Sequence, residues 1–214
     1  KAFIGIAFFS YIICETLSLF NLFSLSYVLI SWVLINGIII FLNKEKIKLN
    51  VFSVFSQKII IPKKEKNILF LIFFLFILPL LLLAIFIPPN NWDSMAYHLP
   101  RIEHWIQNKN IYPYPTNLIR QIITPPFSEY VLLQLRILYG NDWFLNLLQY
   151  ASLIGVLFIA TQLFQFLKIN YKGQILICCV LISLPMLIFQ STTTQTDLLS
   201  AFYLLAFILF SYLF

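Results

Sequence analysis

Charge is the scarcest commodity in this sequence: 10% of its 214 residues are Asp, Glu, Lys or Arg, where soluble globular chains carry about 25%. With 61% hydrophobic residues and a mean hydropathy of +0.90, that shortage excludes an ordinary soluble domain and describes a polytopic membrane protein. Glycine is also scarce, at five residues, and none of them builds a Gly-rich phosphate-binding loop. The three cysteines, Cys14, Cys178 and Cys179, all lie within apolar runs. They read as small buried hydrophobes and form no metal-type cluster with the two histidines. There is no internal repeat and no signal peptide with a small-residue cleavage site, so the helices themselves direct insertion. The chain opens on Lys1 and ends inside the apolar run AFYLLAFILFSYLF, and we read it as the N-terminal fragment of a longer protein.

What is abundant is apolar sequence in runs of about 20 residues, the length that spans a bilayer as a helix. The runs predict an all-α fold with about six transmembrane helices: Ala2 to Phe20, Leu25 to Leu42, Ile68 to Ile87, Trp143 to Leu167, Gln174 to Gln190, and Leu198 onward. The net charge of +6 is not a nucleic-acid signature, because of where it sits. Lys44, Lys46, Lys48, Lys58, Lys63, Lys64 and Lys66 crowd into one inter-span loop, opposed only by Glu45 and Glu65. By the positive-inside rule residues 44–67 form a cytoplasmic loop, in which VFSVFSQKIIIPKK is apolar enough to lie on the membrane surface. Lys168 and Lys172 fall on the same side. The organisation is therefore two N-terminal spans (1–43), a basic cytoplasmic loop (44–67), and a membrane region (68–214) whose residues 87–142 form an extracytoplasmic loop.

That loop holds both histidines and seven of the ten prolines. Asp93 is placed to cap a helix from Ser94 to about Asn108, kinked or interrupted at Pro100. Asp93, Tyr97, Arg101 and Trp105 recur at four-residue steps on one face. Met95, Leu99, Ile102 and Ile106 share another, as in a helix lying along the membrane. A second such helix runs from Pro126 to Tyr139 and is closed by Gly140. Asp197, after the outer segment STTTQTD, heads the last helix. Capping accounts for both Asp93 and Asp197, yet the helix dipole that favours a capping carboxylate also keeps it ionised and able to accept a proton. Arg101, Arg120 and Arg136, with His98 and His104, supply donors on the same side, and the guanidinium fork suits phosphate. Arg136 reads as a headgroup anchor. Trp92, Trp105 and Trp143 with Tyr112 and Tyr114 read as an interfacial aromatic belt. Glu15, alone at membrane depth at a cost of about 2.5–3.5 kcal/mol, is expected to hydrogen-bond a neighbouring helix.

WDSMAYHLPRIEHW just after a span, Pro125-Pro126 in TPPFSEY, LYGNDWFLNLLQ leading into the fourth span, and Asp197 in QSTTTQTDLLSAFYLLAF together resemble the glycosyltransferase-C superfamily. These are lipid-dependent integral-membrane glycosyltransferases such as protein O-mannosyltransferases and aminoarabinose transferases. The resemblance covers about Ile87 to Phe214. It implies an inverting enzyme that moves a sugar from a polyprenyl-phosphate carrier to a lipid, glycan or protein acceptor, outside a bacterial inner membrane. In that reading Asp93 is the catalytic base, and Arg101, Arg120, His98, His104, Gln121, Glu129 and Asp197 bind substrate or the donor phosphate. Membrane lipids are the other partners and nucleic acid is not one. No cofactor is assigned; a divalent metal is compatible with the class. However, Ile123 and Thr124 stand where relatives often place an acidic–basic pair before Pro-Pro, and we assign no metal ligand. The basic residue nearest that position is Arg120, with Gln121 beside it.

The competing reading is a transporter or flippase of a lipid-linked or anionic substrate. It expects ionisable groups deep in several spans and helices broken at the midplane, and Glu15 alone meets the first condition. An assembly subunit whose outer loop docks a partner is the third reading.

Overall fold

The structure, a computed structural model, describes residues 2–44 and 62–213, and among them it is all-helical. Ten helices follow in order. The first three are α1 (Ala2–Leu19), α2 (Leu25–Leu42) and α3 (Lys63–Phe86). A π-helical turn, Ser94–His98, runs on as α4 (Leu99–Asn108), followed by α5 (Arg120–Ile123) and α6 (Phe127–Tyr139). The last four are α7 (Leu147–Phe166), α8 (Tyr171–Ser183), α9 (Pro185–Gln190) and α10 (Asp197–Leu213). Helices α2, α3 and α7 are each long and apolar enough to cross a membrane, whereas Ile4–Leu19, Tyr171–Ser183 and Asp197–Tyr212 are shorter apolar helices. Side chains such as Phe41, Leu42 and Val33 project from α2 unburied, as expected where the solvent is lipid rather than water.

Several boundaries differ from the sequence reading, each for a local reason. Helix α3 begins at Lys63, five residues before the expected Ile68, because Pro62 precedes a first turn of Lys and Glu, all good helix formers. Of the stretch expected to lie on the membrane surface, residues 51–61 fall outside the described residues, and Lys63 and Lys64 belong to α3. A π-helical turn, Phe73–Ile77, precedes Pro79 in α3; such a turn absorbs a residue that cannot donate to the ladder. The expected fifth span is broken: Leu184 is extended (φ −75, ψ 116), separating α8 from α9, because the ring of Pro185 disfavours helical backbone in the residue before it. Helix α7 starts at Leu147 rather than Trp143.

The largest core cluster lies where α4 and α6 meet the N-terminal hairpin. Ile13, Cys14 and Leu17 of α1 and Val28 of α2 pack with Ile102 and Trp105 of α4 and with Tyr130, Leu132 and Leu133 of α6. Polar contacts fix the register. Gln134 Nε2 donates to the Ser10 carbonyl at 2.8 Å and to Cys14 Sγ at 3.2 Å, while its Oε1 accepts from Trp32 Nε1 at 2.8 Å. One side chain of α6 thus holds both N-terminal helices. Glu15 finds the expected partner on another helix: Tyr130 donates its hydroxyl to Glu15 Oε1 at 3.0 Å. The other half of the structure is a tight α7–α10 crossing made possible by Gly155, where an added Cβ would lie 2.5 Å from the Phe202 ring.

Candidate functional site

Asp93, Arg120, Tyr97 and Gln195 come together at the turn that follows α3. Helical backbone begins before Asp93, which is itself helical (φ −63, ψ −42) and makes no capping hydrogen bond. The expected N-cap role is therefore corrected: Asp93 sits inside the first turn, where its carboxylate points to tertiary partners. Oδ2 accepts from Gln195 Nε2 at 2.9 Å, and Oδ1 lies 3.8 Å from Arg120 Nη1. The Arg120 side chain is 62% exposed and that of Asp93 32%, so the pair is open to a ligand. The guanidinium also rides over the Tyr97 ring, 5.9 Å from its centroid. Burial first, then the charge of Asp93, raises the Tyr97 phenol above its ordinary range; Arg120 opposes this, and Asp197 and Glu129 add to it. Tyr97 therefore feels both outer carboxylates and remains a neutral hydrogen-bond donor.

Asp197 is the first residue of α10 rather than the residue before it, and its Oδ2 accepts from Gln190 Nε2 at 2.7 Å. The six residues between are folded back onto the π-helical turn. Thr194 donates to Ser94 Oγ through its hydroxyl at 2.6 Å and its N–H at 3.3 Å, and Ser94 Oγ donates to Asn91 Oδ1. Gln190, Gln195, Thr194 and Ser94 are site residues that the sequence reading missed. The only signal in STTTQTD, a stretch without periodicity, is an amide two residues before an acid.

The remaining expected ligands form a buried scaffold beneath this surface. Arg101 is 1% exposed and Glu129 0%. The five guanidinium N–H donors are all engaged. Nε donates to the Gln121 carbonyl (2.6 Å), Nη1 to the Thr124 carbonyl (3.0 Å) and Glu129 Oε1 (3.1 Å), and Nη2 to the Arg120 carbonyl (2.9 Å) and Thr124 Oγ1 (2.6 Å). His98 Nδ1 shares Glu129 Oε1 at 2.9 Å. Four of the five Arg101 bonds thus grip α5 and the residue after it, the segment that carries Arg120. Gln121 is spent in the same way: its Nε2 donates to the Ala96 carbonyl at 2.8 Å, and its Oε1 accepts from Tyr114 (3.0 Å) and Thr116 (2.9 Å). Pro100, one turn after Ala96, has no N–H to offer that carbonyl. His104 stacks on Tyr114 with centroids 4.1 Å apart.

The helix expected to rest one apolar face on lipid buries Arg101 and Trp105 as well as Ile102, while Leu99 and Ile106 on that apolar face are half-buried. Trp105 and Tyr114 belong to the core, whereas Trp92, Tyr112 and Trp143 are exposed as a belt requires. Arg136, expected at the headgroups, donates Nε to Glu103 Oε1 at 2.6 Å.

Two apolar clefts open along α10. One, about 460 Å³, is bounded by Tyr11 of α1, Phe127 of α6, and Ser200 and Tyr203 of α10, within a turn of Asp197. The other, about 700 Å³, runs between α7 and α10 past Tyr150, Gly155 and Phe202; Ile4 borders both. No three His, Cys, Asp or Glu side chains converge as metal ligands among the described residues. Comparison with known proteins found no matching family model, no similar curated protein and no similar solved structure.

Proposed function

We propose that the chain carries active-site residues of an inverting glycosyltransferase that takes its sugar from a polyprenyl-phosphate carrier outside a bacterial inner membrane. The observation that carries this reading is the solvent-accessible Asp93–Arg120 pair, held by Gln195 two residues before Asp197, with an apolar cleft beginning one turn further along α10. A carboxylate to take a proton and a cation to meet a phosphate are what transfer from a sugar phosphate needs. Apolar space beside them suits a donor that arrives on a lipid. The lysine-rich residues before α3, inside by the positive-inside rule, and the crossing by α3 support an extracytoplasmic position for that surface, where donors made in the cytoplasm arrive on a carrier.

In the proposed reaction an acceptor hydroxyl attacks the anomeric carbon as its proton passes to Asp93. The bond between that carbon and the phosphate oxygen breaks, the electron pair leaves with the phosphate, and the anomeric centre inverts. Arg120 neutralises the departing phosphate. Asp197, held by Gln190, and the neutral Tyr97 hydroxyl orient the sugar. Arg101, with His98 and Glu129, serves by fixing the backbone that presents Arg120, a revision of the direct phosphate contact expected from sequence. A transporter reading gains little, since Glu15 already has its partner in Tyr130.

The test supplies radiolabelled polyprenyl-phosphate sugars to membranes containing the full-length protein. Asp93→Asn is expected to insert and fold normally and to lose transfer by at least about a thousandfold, in line with removal of a general base and its electrostatic role. Substantial turnover by that variant sinks the assignment.

A further inference from the structure

The two outer segments are joined by two adjacent rungs. Asp93 pairs with Gln195, and the next residue on each side, Ser94 with Thr194, pairs as well, although about 100 residues separate the partners. The second rung uses its hydroxyl completely. A serine hydroxyl has one proton and two lone pairs; Ser94 Oγ gives its proton to Asn91 Oδ1 and accepts twice from Thr194. Ser94 and Thr194 are fully buried, where water does not compete for these bonds. The segment between α9 and α10 is closed at its neck by Gln190 on Asp197. Gln195 therefore reaches Asp93 from a loop tied at both its base and its flank.

We infer that Gln195 is a positioning residue for Asp93, an inference that rests on Asp93 being the proton acceptor of the proposed transfer. By occupying Oδ2 at 2.9 Å it turns Oδ1 toward Arg120 and leaves that oxygen as the one an acceptor hydroxyl meets. The residue type fits the task. An amide fixes a carboxylate through a hydrogen bond that lowers its affinity for a proton less than a cation at the same distance would. The second outer segment thus sets the orientation of the reactive group without contributing to the chemistry.

Two measurements on the full-length protein decide this. In the transfer assay, Gln195→Leu is expected to lower kcat about tenfold to a hundredfold, with KM for the lipid-linked donor little changed. Gln195→Glu is expected to be as slow at neutral pH and to recover on acidification, because the protonated carboxyl it introduces again offers Oδ2 a donor. Wild-type rates in both variants, or equal losses at every pH, overturn the inference, the second outcome marking a packing role only. Independently of any activity, hydrogen exchange of residues 191–196 is compared in Asp93→Ala, Gln195→Leu and the double variant. Each single change is expected to speed exchange about tenfold, and the double no further, as for two ends of one bond. Additive effects overturn the inference. If the wild-type protein transfers no sugar and Asp93→Asn is silent, the glycosyltransferase reading falls. The exchange cycle then decides alone whether Gln195 holds Asp93.

Discussion

Replacing Arg101 by lysine keeps the charge and removes the fork, and the structure says what that costs. The guanidinium makes five hydrogen bonds, to the carbonyls of Arg120, Gln121 and Thr124, to Thr124 Oγ1 and to Glu129 Oε1. An ammonium has three protons on one atom, so at least two of these bonds are lost in a site excluded from water. At about 1.5–3 kcal/mol for each bond to a charged group, the loss is about 3–6 kcal/mol. It falls first on α5, which has one turn and owes its position to those bonds. Exchange of the amides of residues 120–124, followed by mass spectrometry on the full-length protein in nanodiscs, is expected to accelerate at least about a hundredfold. Arg120→Lys, at the exposed end of the same segment, should leave it nearly unchanged. Wild-type exchange in Arg101→Lys would refute the reasoning, since α5 would then hold its place without the guanidinium.

Other outcomes follow from the packing. Gly155→Ala puts a methyl 2.5 and 2.6 Å from two ring carbons of Phe202 and should destabilise by about 1–3 kcal/mol in thermal melts, with recovery when Phe202→Leu is added. Gln134→Leu cuts α6 from both N-terminal helices and should cost about 1–3 kcal/mol; an unchanged melting temperature would show that the hairpin packs without it. Burial raises the phenols of Tyr97, Tyr114 and Tyr130, so the folded state holds their protons longer than the unfolded one does. Stability is then complete below the ordinary phenol pKa of about 10 and falls as pH rises past it. Melts at pH 8 and 11 should show the fall, smaller in Tyr130→Phe.

The sequence discloses features that depend on one helix at a time. The bounds of α2, the Gly140 stop to α6 (φ 71) and the need of Glu15 for a partner are all legible, because hydropathy and capping chemistry are local. Four-residue spacing likewise put Arg101 and Trp105 on one face of α4. What spacing does not tell is whether that face meets ligand or protein, and here α5 and α6 cover it. A guanidinium suited to phosphate is equally suited to three backbone carbonyls, so Arg101 read as a ligand when it is a clamp. The break before Pro185 was legible and overlooked within an otherwise continuous apolar run. Gln195 was not: its partner lies 102 residues away and nothing in STTTQTD marks one amide above another.

Whether Asp93 can meet a flipped lipid-linked donor is decided by the side of the membrane it faces. Single cysteines in a cysteine-free full-length protein, one at Trp92 beside Asp93 and one at Lys168 between α7 and α8, are to be treated with a membrane-impermeant maleimide in intact bacterial cells. Both native side chains are exposed, Trp92 at 81%. Labelling at position 92 in intact cells, and at position 168 only after permeabilisation, is the expected result. The reverse pattern would place the Asp93–Arg120 pair in the cytoplasm, away from flipped lipid-linked donors, and would contradict the account.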